Sequence, residues 1–90
     1  MKTVTIDCTP ILGSADFHQQ LASALSLPEY YGNNLDAMYD CLTELGQDIQ
    51  LVLDNWYPLS VRLGHYAEKT LYTFRCAAEE NPHLTVTIHP

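Results

Sequence analysis

Asp36, Asp40 and Glu44 stand four residues apart, the spacing that stacks side chains along one face of a helix. Carboxylates so arranged can do three kinds of chemistry. A pair can share acid and base duties, several can ligate a hard cation, or the row can offer fixed negative charge to a cationic partner. The run from Glu29 to Asp54 contains no Lys, Arg or His but six of the eleven acids, namely Glu29, Asp36, Asp40, Glu44, Asp48 and Asp54. Like charges at this spacing destabilise an isolated helix by about 0.2–0.5 kcal/mol per pair, so local stability does not account for them. The helix dipole accounts for Asp36, in the first turn, but not for Asp40 or Glu44. A solvated acidic face is the default reading of any charge run, and the loop ahead of the helix shifts the balance toward a binding surface.

That loop, Pro28-Glu29-Tyr30-Tyr31-Gly32-Asn33, sets two adjacent tyrosines beside residues that tolerate tight or left-handed backbone. Tyrosine is a favoured interface anchor, because its ring supplies contact area while the hydroxyl keeps a hydrogen bond. One of the two is expected to pack into the core, but not both. Other candidates carry less. His18, His65, His83 and His89 are scattered with no H-x-x-x-H spacing and read as surface or edge residues. Cys41 lies among carboxylates that would raise its pKa, which makes it a poor nucleophile, and Cys76 reads as a structural thiol. No phosphate loop, nucleophile elbow or basic aromatic patch occurs. Nothing signals an enzyme, and no cofactor or metal is expected.

The elements that must position these residues follow from periodicity. Thr3 to Asp7 alternates and predicts a strand. Ser14 is a candidate N-cap for a helix in which Phe17, Leu21, Ala24 and Leu25 recur, running to Leu27 before Pro28. Asn33 or Asn34 caps the acidic helix, whose stripe is Leu35, Met38, Leu42 and Leu45 and whose end lies near Gly46. Gln50 to Asp54, with a continuous Leu51-Val52-Leu53, predicts a strand buried on both faces. A short helix from Pro58 to Gly64, a longer one marked by Ala67, Leu71, Phe74 and Ala78 that stops before Pro82, and a strand from Leu84 to Ile88 complete the order β-α-α-β-α-α-β. Helical connections between successive strands favour parallel pairing. The expected fold is therefore α/β, a small three-stranded parallel sheet packed with helices. Trp56 is expected to be a core or edge anchor.

Ninety residues suffice for one domain, residues 1–90, that buries a little over ~60% of its unfolded surface. The net charge of −7 argues against nucleic acid and anionic membrane and favours a basic macromolecule as partner. The first seven residues lack the apolar core of a signal peptide, and the three cysteines are odd in number and widely spaced. The expectation is a cytoplasmic protein, monomeric when free, with its thiols reduced.

The run LPEYYGNNLDAMYDCLT resembles the signature segment of the barstar family, intracellular inhibitors of the secreted ribonuclease barnase. A weaker likeness extends over most of the chain, through FHQQLASALSLPEYYG, LVL and TFRCAAEE. The resemblance implies a barstar-like fold and a one-to-one inhibitor of a basic, extracellular-type ribonuclease. It places Asp40 in the enzyme's phosphate site and makes Asp36 a second contact. Tyr30, Tyr31 and Asn34 become the loop residues that pack on the enzyme, and Thr43 and Glu44 lie where the family surface continues. Tyr39 stands where the prototype has tryptophan, and Leu45 replaces a second tryptophan. Cys76 takes the place of a contacting glutamate, and Glu44 that of a glycine. These departures leave a second reading open, an immunity or binding protein for another basic toxin. A carboxylate-based metal hydrolase ranks far behind.

Overall fold

The computed structural model describes residues 1–90, with elements β1 (Lys2–Asp7), α1 (Ser14–Leu25), α2 (Leu35–Thr43), β2 (Ile49–Asp54), α3 (Trp56–Leu63), α4 (His65–Glu80) and β3 (Leu84–Ile88). The strands form one parallel sheet in the order β1-β2-β3, with Val4 opposite Leu51 and Leu51 opposite Val86. Architecture and element order agree with those the periodicity predicts. Alternation turns Val4 and Ile6 of β1 and Ile49, Leu51 and Leu53 of β2 inward. They meet Phe17 and Leu21 of α1, Met38 and Leu42 of α2, Leu59 of α3 and Phe74 of α4 in one cluster. Phe17 is its hub, set edge-on to Trp56 at 6.1 Å and to Phe74 at 6.2 Å.

Both faces of β2 are buried, as its continuous apolar run predicts, but the outward one is covered without a helical layer. β2 is not sandwiched between helical layers. Its outward Val52 is only 9% exposed but lies outside the main cluster, in register with Thr5 and Thr87. Thr3, Thr5 and Thr85 on that face are exposed. In a sheet three strands wide, the flanking strands' side chains cover the central one, so an unbroken apolar run needs no second layer.

Four boundaries also differ, one of them the end of α2, which is Thr43 with Glu44 as its C-cap and not near Gly46. The cap of α1 is Gly13, not Ser14, and no side chain caps the first turn; Asp16 accepts instead from the N–H of Leu12, ahead of the helix, at 3.1 Å. The helix ends at Leu25, because Ser26 turns left-handed and the Leu27 N–H bonds back to the Ala22 carbonyl at 2.9 Å. α3 starts at Trp56, two residues before Pro58, because the first N–H groups find carbonyls beyond β3: Trp56 donates to His89 and Tyr57 to Pro90. Pro58 still lies in the first turn, where an amide hydrogen has no partner within the helix. Gly64, at φ +60° and ψ −132°, joins α3 to α4 in a conformation only glycine adopts freely. His–carboxylate pairs bracket the β2–β3 seam, His83 with Asp48 at 2.7 Å and His89 with Asp54 at 2.8 Å. No helix is long and apolar enough to cross a membrane.

Candidate functional site

α2 begins where it does because Asn34 caps it. Its Oδ1 accepts from the Ala37 N–H at 2.8 Å, while its Nδ2 donates to the Gly32 carbonyl at 3.1 Å. The same side chain thus fixes the helix start and the loop before it. Asn33 has φ 53°, and a Cβ on Gly32 would sit 3.0 Å from Asn34 Nδ2, so the bend needs both residue types. The Tyr31 N–H closes a turn on the Pro28 carbonyl at 2.9 Å.

The two tyrosines separate. Tyr30 is 84% exposed, whereas Tyr31 is 7% exposed and belongs to the core cluster. Tyr31 therefore supports the loop and offers little contact area. Its hydroxyl lies 2.6 Å from Nδ1 of His18, whose Nε2 is 2.7 Å from the Tyr66 hydroxyl. His18 is fully buried, unlike the exposed His65, His83 and His89, which corrects the expectation of four surface or edge histidines. Two phenols saturate the ring and make its burial tolerable.

Asp36, Asp40 and Glu44 are all exposed. The ion pairs of the chain join histidines to Glu68, Asp48 and Asp54, so none of the three has a cationic partner. Thr43, half-buried beside them, donates its hydroxyl back to the Tyr39 and Asp40 carbonyls, each at 3.0 Å. That hydrogen is already committed within the helix. Cys41 is half-buried, and burial first, then Glu44 and Asp40, pushes its thiol pKa up. Cys8, Cys41 and Cys76 are all free thiols.

α4 completes the face, of which sequence reasoning gave only the Cys76 position. A groove of about 280 Å³ runs between Leu35, Asp36 and Tyr39 of α2 and Tyr72, Thr73 and Cys76 of α4. Tyr72 is 62% exposed. The Tyr39 phenol is held above its ordinary pKa by burial and then by Glu80, Cys76 and Asp40. Glu80 thus adds an acid from a second helix near the point where Cys76 provides none. Its four-residue spacing from Cys76 was a usable signal, but only once α4 is known to pack on α2. Asn81 anchors the far end, donating from Nδ2 to the Leu42 and Leu45 carbonyls, both at 2.9 Å, and accepting from the His83 N–H at 3.0 Å.

The result is a helix fixed at both ends that carries unpaired carboxylates, with one exposed tyrosine, Tyr30, in the loop ahead of it. Such a surface can bind cations through charge-assisted hydrogen bonds. No three His, Cys, Asp or Glu side chains group as a metal site. A family model described as "Barstar (barnase inhibitor)" matches residues 1–89. A curated relative in Bacillus subtilis (strain 168), named "Putative ribonuclease inhibitor YrdF", is 37% identical over 81 residues, which span 89% of this chain and 89% of that protein.

Proposed function

The chain belongs to the barstar family, and from that premise we propose that it is a one-to-one inhibitor of a basic microbial-type ribonuclease, not an enzyme itself. The observation that carries this reading is the exposed row Asp36, Asp40 and Glu44, which has no internal cationic partner on a helix capped by Asn34 and Asn81. A ribonuclease must gather cationic and hydrogen-bonding groups around the scissile phosphate. A rigid carboxylate can take the phosphate's place and offers no bond to cleave. Asp40 fills that place, Asp36 contacts a neighbouring cation, and Tyr30 packs on the rim. Asn34 and Tyr31 hold the loop in shape, and Tyr39, Thr43 and Glu44 extend the surface toward α4.

Binding another basic toxin through the same face is favoured by one pair of features, Glu44 and Cys76, which move negative charge along the surface relative to the family prototype. In either case encounter is steered by charge. The association rate with the basic target is expected to fall by at least about tenfold between low and high ionic strength, because surface charges separated by more than about 10 Å are screened at ~0.1 M salt. Stopped-flow mixing measures it, and a rate indifferent to salt counts against the acidic face. Competition by free nucleotide tests occupation of the catalytic site.

A further inference from the structure

His18 is fully buried and takes no part in the acidic face, yet it ties three elements together. It sits on α1, Nδ1 meets the hydroxyl of Tyr31 in the 28–33 loop, and Nε2 meets that of Tyr66 on α4. A neutral imidazole has one N–H and one bare nitrogen, so one hydroxyl donates to it and the other accepts. The surroundings decide which. The Tyr31–His18 bond is buried, and the Tyr31 hydroxyl has no other acceptor, so its hydrogen goes to Nδ1. The Tyr66 bond is only part-buried. Its hydroxyl accepts from Nε2–H and turns its own hydrogen toward water.

Adding a proton to the ring puts a hydrogen on Nδ1, facing a hydroxyl whose own hydrogen points back. Tyr31 must then aim that hydrogen at apolar surroundings or leave the site. Nothing nearby stabilises an imidazolium. The groups facing His18 are Phe17 from its own helix, Tyr31 from the loop and Tyr66 from α4, and behind Tyr31 lies Cys41 of α2. None is a carboxylate. Burial accordingly holds the ring below the ordinary histidine value of 6.5, and the phenols of Tyr31 and Tyr66 are pushed up, chiefly by burial, and stay protonated.

We infer that His18 is a positioning residue and a proton-operated latch for the target-binding loop: neutral, it keeps Tyr31 inward and presents Tyr30; protonated, it frees the loop and weakens the target complex. This rests on reading the loop as part of the inhibitory face. The direction follows from linkage. Between the folded value and 6.5 the unfolded chain binds the proton and the folded protein does not, so the stability that neutral His18 contributes is complete above about pH 6.5 and is lost as pH falls through that window.

The test has two arms. In the free protein, the backbone amide resonances of Tyr30, Tyr31, Gly32 and Asn33 are expected to shift with the same midpoint as the His18 ring, below 6.5, and to stay flat in His18→Gln, whose amide can both donate and accept. In the complex with barnase, dissociation of the wild-type protein at about pH 5.5 should be about tenfold faster than at about pH 7.5, against less than about twofold for His18→Gln. Titration of the nuclease is common to both proteins, so the difference between the ratios reads His18. If His18→Gln does not fold, Tyr31→Phe keeps the imidazole and removes the hydroxyl, and its loop resonances should no longer follow the ring. Loop amides that stay flat while His18 titrates, or equal ratios for the two proteins, overturn the latch. If barnase binds neither protein, barnase is not the target, and the loop titration by itself decides the latch.

Discussion

Asp40→Ala is expected to weaken target binding by about 2–5 kcal/mol, between one and four orders of magnitude in Kd, while leaving the free protein as stable as before or slightly more so. That range is the general cost of truncating one partner of a buried charge pair; coupling energies of about 1.5–7 kcal/mol for charge pairs between barnase and barstar themselves bracket it. Binding suffers because the nuclease's cations, gathered around a phosphate site, would be buried facing a methyl group. Stability does not suffer, because the Asp40 side chain is exposed and makes no ion pair. The Thr43 bond at this residue goes to its main-chain carbonyl, which alanine keeps. Removing the charge also relieves two like-charge neighbours, Asp36 and Glu44, at about 0.2–0.5 kcal/mol each. A denaturant melt and a binding titration on one variant read both effects. A strongly destabilised protein would mean that Asp40 holds the fold, and undiminished binding would mean that the acidic face is only solvated surface.

The largest loss of stability is expected at Asn81, from a change of one atom. In Asn81→Asp an oxygen replaces the Nδ2 that donates to Leu42 and Leu45, and two carbonyls then face a carboxylate. The Leu42 carbonyl keeps the Leu45 N–H at 3.5 Å and the bond to the Leu45 carbonyl is only part-buried, so a loss of about 1–3 kcal/mol is expected at neutral pH. The new carboxyl would be easier to protonate in the folded protein than in the unfolded one. The loss should therefore shrink as pH falls through that raised value, since the folded state then binds more protons. Paired melts at about pH 7 and pH 5 measure it; a variant within about 0.5 kcal/mol of wild type at both would show that the α2 end needs no anchor.

The two anchors of α2 show where sequence reading works and where it stops. Asn34 is legible because its partners are two and three residues away, Gly32 and Ala37, and an asparagine before an apolar stripe is a local signal. Asn81 is not legible, because its partners lie 36 and 39 residues back and the chain nearby shows only a helix ending before Pro82. His18 lies between these cases. It stands three and seven residues before Leu21 and Leu25, so its phase alone puts it on the buried face of α1, and attention to residue type obscured what position revealed. The strand periodicities and topology were legible throughout. The covering of β2 was not, because an apolar triplet records burial without recording whether a helix or neighbouring strands provide it. On the binding side, the acids of α2 were readable as a row, whereas Glu80 and Tyr72 join the face only through the packing of α4.

The sheet order has a consequence in time. Every strand pairing is remote, Lys2 with Ile49 and Ile49 with Leu84, so no hairpin can nucleate the sheet and the chain must close long loops before any ladder forms. Such topologies fold more slowly than helical proteins of equal length. The C-terminal carbonyls of α2 wait on Asn81, beyond the end of α4. Pulsed hydrogen exchange during refolding is therefore expected to protect α2 no earlier than α4; earlier protection of α2 would contradict this order. The carboxylates exist on the nascent chain once residue 44 is joined, but the surface that holds them is complete only once Asn81 has docked on it. A cell relying on this protein against a nuclease would be unguarded for the interval between the two.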